Sequence, residues 1–265
     1  MTPAAVPPGI PPGVALARDA WRLGLGAIRA MPNLFSGTFA LLLAFELAFR
    51  SQHPPSDGWP DAAELLLGFA NDVATDVIAA SALVAVHRSV LLGEATDRPM
   101  WRLPPTYDRY LFWLVLLNMP FLLVIGLGVP VIGLGMLAGQ GYFVPVVVGL
   151  LLLLAGAVAV TLRLALLLPL SAMGAPAADW RTAWHASRGK TWRLLAAALL
   201  TFVPLEIGAA LVEGLFRGVD GPAALALGAL GAAAKALLWA AVGAALWSRL
   251  LQTYGGTLAR LPVWR

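Results

Sequence analysis

Six ionisable side chains lie inside apolar stretches that are long enough to cross a membrane. They are Glu46, Asp72, Asp76, Arg163, Glu206 and Lys235. A charge at bilayer depth costs at least about 2.5 to 3.5 kcal/mol, so such a side chain is usually paired with another group or used in a function. These six residues form the first candidate site, which we call the intramembrane charged cluster.

The depths of these residues can be counted along the apolar stretches at 1.5 Å per residue. Asp76, Glu206 and Lys235 fall near the membrane midplane, Asp72 lies about one turn farther from the cytoplasm, and Arg163 lies nearer to it. A lone ammonium at the midplane is costly, so we expect Lys235 to pair with Asp76, Glu206 or both. Arg163 is expected to snorkel or to pair with a neighbour.

A polar stripe runs along the second apolar stretch, where Asn71, Asp72, Thr75 and Asp76 share one helix face. This face must meet protein or water and not lipid. The functional interpretation of the charged cluster is a proton or ion path, or a polar substrate cavity. The alternative is a structural network that fixes the register of the helices, and the sequence favours this alternative.

A basic, tryptophan-bearing segment at residues 177–193 is the second candidate site. Its spacing predicts a short amphipathic helix in the headgroup layer, with its tryptophan face toward the acyl chains. Basic residues near the surface attract anionic lipid at about 1 kcal/mol each. The residues expected to contact lipid headgroups are Trp180, Arg181, Trp184, Arg188, Lys190, Trp192 and Arg193.

The composition indicates that this protein is surrounded by a lipid bilayer. Of the 265 residues, 60% are hydrophobic and 12% are charged, and the mean hydropathy is +0.80. No water-soluble domain of this size has such a balance, and long Leu, Ala and Val runs indicate helices and not a barrel. The predicted fold class is therefore all-α, a polytopic bundle of about six transmembrane helices.

The organisation follows from where these runs begin and end. Residues 1–13 are proline-rich and are expected to be a disordered tail, and residues 14–31 form an interfacial amphipathic helix. The transmembrane domain covers 33–250, with spans at 33–50, 63–88, 110–137, 143–171, 192–216 and 222–249. Residues 251–265 form a short tail. No cleaved signal peptide is expected, because the proline-rich start cannot form an apolar signal core.

The basic residues give the orientation. Lys and Arg concentrate before the first span, in the second and fourth loops and after the last span, whereas the remaining loops hold only Arg50 and Arg217 amid acidic residues. The positive-inside rule therefore places both termini in the cytoplasm, as expected for a protein of the inner-membrane type. The same distribution argues against nucleic acid as a partner, although the net charge is +4.

Catalytic and cofactor motifs are missing from the sequence. The three histidines are far apart, and the chain has no Cys, no metalloprotease or phosphate-loop motif and no nucleophile elbow. A Gly-x-Gly-x-x-Ala match beginning at Gly133 lies in a transmembrane span without a preceding strand, so it does not indicate a dinucleotide site. We expect a protein that is not an enzyme and that binds no cofactor.

Two segments resemble a known family. The run from Arg163 to Pro169, followed by Ala183-Trp184-x-x-Ser187-Arg188-Gly189-x-x-Trp192-Arg193-Leu194, is similar to bacterial six-helix membrane proteins of the YciC type. Ala17-Arg18-Asp19-Ala20-Trp21, at the entry to the first span, resembles theirs as well. The pattern is also similar to the membrane domain of some glycerophosphodiester phosphodiesterases, whose soluble catalytic domain this chain lacks. The resemblance implies an architecture and no enzyme activity.

Two functional hypotheses remain after these exclusions. The first is a non-enzymatic membrane protein that maintains the envelope or serves as an accessory subunit of a membrane complex. The second is a transporter or channel that uses Asp72, Asp76, Glu206 and Lys235. The expected partners are the bilayer, anionic lipids and, under the first hypothesis, other proteins of that complex. A membrane enzyme acting on lipid ranks last.

Overall fold

The structure, a computed structural model, describes residues 12–53, 61–97, 107–138, 140–175, 179–216, 219 and 221–254. These residues form nine helices. In chain order they are α1 (Pro12–Ala30), α2 (Pro32–Gln52), α3 (Ala62–Leu92), α4 (Tyr107–Ala138), α5 (Gln140–Leu164), α6 (Leu167–Ala172), α7 (Trp180–Ala186), α8 (Thr191–Leu215) and α9 (Pro222–Tyr254).

Six segments of the described part are long and apolar enough to cross a membrane, and they agree with the predicted spans to within about five residues, except that the third ends at Gly128 and the prediction at 137. The fifth and sixth helices together make one of them, because a short turn separates α5 from α6. The predicted all-α membrane bundle is therefore confirmed, and the chain is a multi-pass membrane protein.

The predicted boundaries outside the spans need correction. The first helix begins at Pro12, so residues 12–13 are helical and do not belong to the tail, and residues 1–11 lie outside the described part. The last helix continues to Tyr254, so residues 251–254 are helical too, and 255–265 are not described. The helix predicted within 177–193 is present as the shorter α7.

Local signals explain where the third helix begins and ends. Asp61 accepts a hydrogen bond from the backbone N–H of Glu64, and the Glu64 side chain accepts one from the backbone N–H of Asp61. This capping box satisfies two donors that the first turn leaves free. Gly93 ends the helix with a φ of 71°, in the left-handed region that favours glycine.

The last helix lies at the centre of the bundle. It packs against α1, α2, α3, α6 and α8, while α4 and α5 form a hairpin beside α3. The closest approach is at Gly24 of α1, where a Cβ would lie 2.9 Å from the Cα of Val242. The apolar face of α1 thus rests on α8 and α9, and its arginines Arg18, Arg22 and Arg29 are exposed.

Hydrogen bonds join the helix ends that carry the basic loops. Asp97 accepts from the Asn33 side chain and the Leu34 backbone, Arg88 and Arg109 donate to the carbonyls of Ala172 and Ala175, and Lys190 donates to the Tyr254 carbonyl. These residues come from all the predicted cytoplasmic segments. We call this the basic end of the bundle, and the opposite one the acidic end.

The two halves of the bundle are packed differently. Near the basic end the helices form two neighbouring apolar cores, one with Ala80 and the other with Leu166, Leu194 and Leu246, all fully buried. Toward the acidic end the same helices expose their side chains, as for Leu211, which is 66% exposed. The charged cluster lies between the closely packed region and this more exposed region.

Candidate functional site

The second helix contributes the most buried acid of the cluster. Glu46 is 3% exposed and accepts hydrogen bonds from Arg50 Nε, at 3.1 Å, and from Asn71 Nδ2 of α3, at 3.3 Å. The Arg50 guanidinium lies against α9, where a Cβ on Gly228 would be 3.0 Å from its Nη1. Glycine at this position leaves room for the charge, so Glu46 is neutralised and fixed by three helices.

The eighth and ninth helices contribute an ion pair. Lys235 Nζ lies 2.7 Å from Glu206 Oε2, and Trp239 Nε1 donates to Glu206 Oε1 at 3.2 Å. The Trp239 ring stacks on Phe202 at a centroid distance of 3.8 Å, which holds the indole in place. The predicted pairing of Lys235 with Glu206 is confirmed. This pair is 40% and 50% exposed, although it lies well inside two spans.

The third helix contributes two acids with different surroundings. Asp76 is half-buried and accepts a hydrogen bond from Asn118 Nδ2 of α4 at 3.4 Å. Of the two carboxylates expected as partners of Lys235, Asp76 thus contacts α4, and the ion pair is formed with Glu206. Asp72 is exposed and lies within electrostatic range of Lys235, Glu46 and Glu206.

Carboxylates outnumber cations in this group. The acids are Glu46, Asp72, Asp76 and Glu206, and the cations among the described residues beside them are Arg50 and Lys235. Two acids therefore have no cation bound to them. An excess of acid at one depth attracts cations or holds protons, since uncompensated like charges are costly in a medium of low dielectric constant.

Arg163 does not belong to this group, although the sequence placed it in the cluster. Its guanidinium stacks over the Trp184 ring at 4.4 Å, and its Nε donates to Thr191 Oγ1 at 2.9 Å. These contacts join α5 to α7 and α8 near the basic end. The expectation that Arg163 pairs with a neighbour is confirmed, with an aromatic ring and a hydroxyl as partners.

The predicted headgroup residues divide into two sets. Two of them are engaged inside the protein: Trp184 beneath Arg163, and Lys190, which donates to the carbonyls of Ala186 and Tyr254. The others are exposed at the basic end, and they are Trp180, Arg181, Arg188, Trp192 and Arg193. The helix α7 thus packs by one face, and its contact with lipid stays a prediction for the second set.

One group outside the spans has a shifted pKa. Asp179 is the N-cap of α7, and its carboxylate accepts hydrogen bonds from the backbone N–H and the hydroxyl of Thr182. These bonds lower the pKa of Asp179 below its usual value of 3.8. The cap therefore stays charged and keeps the start of the helix in place at neutral pH.

The structure offers little for a cofactor in its described part. Two grooves, of about 600 and 320 Å³, lie between α4 and α5 and are lined by apolar residues such as Leu127 and Leu153. Within the described ranges, no group of three or more His, Asp or Glu side chains is arranged to hold a metal ion. The charged cluster is therefore the candidate site.

Three members of this site are missing from the sequence prediction, namely Arg50, Asn118 and Trp239, whereas Asn71 belongs to the predicted polar stripe. Arg50 was assigned to a loop because it ends the predicted first span. Asn118 could have been noticed, since it is the only Asn or Gln in α4. A lone amide in an apolar span needs a hydrogen-bond partner, and an acid on a neighbouring helix is a suitable one.

Comparisons with protein-family models, curated proteins and solved structures found no match to this chain. The resemblance to the YciC type accordingly stays a prediction. Fold and site together define a class, the multi-pass helical membrane proteins with ionisable residues inside their spans. Function has to be argued from those residues, since a fold alone does not assign one.

Proposed function

We propose that this protein is a transporter or channel for a small cation or polar solute, and that the charged cluster is its contact site. The observation behind the proposal is the ion pair between Lys235 and Glu206, which is about half exposed although both residues lie well inside their spans. A charge facing hydrocarbon is costly. An exposed pair at this depth is therefore best explained by water or a polar solute beside it.

The shape of the bundle supports the same proposal. The helices bury their side chains toward the basic end and expose more of them toward the acidic end, and we infer an opening that reaches the charged cluster from the acidic side. Transport proteins use such an arrangement because a site near the midplane can be reached from one side while the other side is closed. Asp72 is exposed and forms no ion pair among the described residues, so an entering cation would meet it within the cluster.

The proposed location is the inner membrane of a bacterium, with the basic end and both termini in the cytoplasm. The loops support this orientation, because the basic end is rich in arginine and the acidic end is not. Exposed tryptophan and arginine side chains at the basic end, including Trp192 and Arg193, would contact the headgroups of anionic lipids. The proposed activity is not enzymatic.

Thiol labelling tests the proposal, because the native chain has no Cys. Gly231 lies on α9 one turn farther toward the acidic end than Lys235, it is exposed, and a Cβ there meets nothing within 4 Å. Gly231→Cys should react with a membrane-impermeant thiol reagent that is added to intact cells. Water in the opening is what carries the reagent to this depth.

The matched control is Val148→Cys, which lies on α5 at a similar distance from the acidic end. The Val148 side chain is 48% exposed, and that of Val144, one turn away, is 65% exposed. This position faces the apolar flank and should stay unlabelled in cells. If neither cysteine reacts in cells although both react in detergent, the opening is covered and the transport proposal is wrong. Both variants must elute from a sizing column like the native protein.

The second candidate is an accessory subunit of a membrane complex or an envelope-maintenance factor. It is favoured by the apolar flank of α5, where Leu151 and Leu152 are 59% and 69% exposed, and by the adjacent grooves. Such a flank can accept another membrane protein. Under this hypothesis the exposed ion pair is covered by a partner, so Gly231→Cys would be labelled only after detergent removes that partner.

A further inference from the structure

A second polar group lies near the basic end, inside the apolar core. His87 of α3, Tyr110 of α4 and Ser248 of α9 are each fully buried. His87 Nδ1 is 2.8 Å from Ser248 Oγ, and its Nε2 is 3.4 Å from the Tyr110 hydroxyl. Three polar side chains are costly to bury, and these are bonded to one another across three helices.

This group continues toward the charged cluster. Tyr110 lies within electrostatic range of Asp76, and Asp76 lies within range of Asp72, one turn away on α3. From Asp72 to His87 the helix rises about 22 Å, which is most of the roughly 30 Å hydrocarbon thickness. Proton-exchanging side chains therefore occur at intervals along the bundle, from the exposed Asp72 and the half-buried Asp76 to the bonded group of Tyr110, His87 and Ser248.

Buried polar atoms without a partner lie along the same route. In the described part of the chain, the buried side-chain atoms that lack a hydrogen bond are Asn71 Oδ1, Thr75 Oγ1, Ser81 Oγ and Arg249 Nε. Asn71 and Thr75 lie on α3 beside Asp72 and Asp76, Ser81 lies on α3 between Asp76 and His87, and Arg249 follows Ser248 in sequence. Buried polar atoms of this kind are normally satisfied by water, so they mark hydration sites on the route.

We propose that Asp72, Asp76, Tyr110, His87 and Ser248 form a proton path through the bundle. The inference rests on the proposed transport function and specifies the ion that crosses. Asp76 and Tyr110 share no hydrogen bond among those of the described residues and lie within electrostatic range of each other, so the proposal places water between them. We call these five residues the proton path.

The transfers balance from one end to the other. A proton from water at the acidic end binds the Asp72 carboxylate and passes to Asp76. Asp76 delivers it through water to the Tyr110 oxygen, while the Tyr110 hydroxyl proton moves to His87 Nε2. His87 releases the proton on Nδ1 to Ser248 Oγ, and the Ser248 hydroxyl proton leaves to water. One proton enters and one leaves, and the neutral imidazole can do this because one nitrogen accepts while the other donates.

The basic end of the path is close to charged groups that can receive the proton through water. Arg249 follows Ser248 in sequence, and its guanidinium donates to Asp19 at 2.9 Å and to Gln252 at 2.8 Å. Asp19 also binds Arg22, which is exposed. The last residue of the path, Ser248, is therefore followed in sequence by Arg249, which is ion-paired with the Asp19 carboxylate.

The test uses the purified chain in liposomes that contain a pH-sensitive dye. A potassium gradient with valinomycin makes the interior negative and drives protons inward. The native protein should acidify the interior faster than protein-free liposomes do. Tyr110→Phe keeps the ring and removes only the hydroxyl that bonds His87, so it should reduce the rate to the protein-free level, as should Asp76→Asn.

The control is Thr38→Val, which removes another buried hydroxyl, bonded to the Leu34 carbonyl on α2 away from the path. It should conduct like the native protein. A native rate in Tyr110→Phe and Asp76→Asn, or no proton entry with the native chain, would overturn the proton path. If Gly231→Cys is nevertheless labelled in cells, the transport proposal survives without the proton as its ion.

Discussion

The basic and acidic halves of the bundle consist of the same helices but differ in how far these helices bury their side chains. In the basic half, α8 buries Leu194 and Ala197 completely, whereas in the acidic half it leaves Ile207 and Leu211 more than half exposed. The polar groups follow this division, since His87 is fully buried and hydrogen-bonded while Asp72 is exposed. From this difference we expect substitutions in the basic half to lower the stability of the protein most, and we expect solvent to reach side chains in the acidic half.

The largest effect on stability is expected at the tightest helix crossing of the basic half. Gly24→Ala places a Cβ 2.9 Å from the Val242 Cα and 3.0 Å from the Ala241 carbonyl oxygen, and backbone atoms cannot move aside as a side-chain tip can. Overpacking of this kind typically costs about 1 to 3 kcal/mol. Thermal unfolding in mild detergent should show a clear decrease in the midpoint.

Gly26→Ala is the matched control for this crossing. It lies on the same helix, and a Cβ there meets nothing within 4 Å. Replacing a helical glycine by alanine without a clash stabilises by up to about 1 kcal/mol, so its midpoint should stay or rise. Equal midpoints for the two variants would show that α1 does not pack on α9 as described.

A smaller effect is expected at the ion pair of the acidic half. Lys235→Met removes the partner of Glu206, but the pair is about half exposed, so its loss should cost no more than about 1 kcal/mol in detergent. The cycle with Glu206→Leu and the double variant measures the coupling between the two residues. A cost as large as that of Gly24→Ala would mean that the pair is sealed, contradicting the contrast between the halves.

The smallest effect is expected at the cap of α7. The folded pKa of Asp179 lies below its unfolded value of 3.8, so its contribution is complete above the unfolded pKa and is lost as pH falls through the folded pKa. Tryptophan fluorescence from Trp180 and Trp184 should therefore change below pH 3.8 in the native chain. In Asp179→Ser, which caps without a charge, this transition should be absent. A transition that persists would belong to another group.

The helices and the pairing of Lys235 with Glu206 could be predicted because hydropathy and depth in the membrane depend only on position along each helix. The rotation of the helices about their axes could not, so the sequence leaves both Asp76 and Glu206 open as partners of Lys235, whereas in the structure Asp76 contacts Asn118. Arg163 was grouped with the cluster by its place inside a span, whereas its contacts with Trp184 and Thr191 depend on how α7 folds back. The partners of His87 were also beyond the sequence, since Ser248 lies 161 residues away.

The first helix has a consequence for how the protein is made. Arg249 binds Asp19 across 230 residues, and Trp21 donates to the Thr201 carbonyl across 180. At roughly 5 to 20 residues per second, a ribosome needs about 12 to 46 s to synthesise the chain between Asp19 and Arg249. During that time the apolar face of α1 is present, but α9, the helix on which it finally packs, has not yet been synthesised. A newly made chain must therefore keep α1 on another apolar surface, of which the membrane is the nearest, until the last helix arrives and the bundle closes.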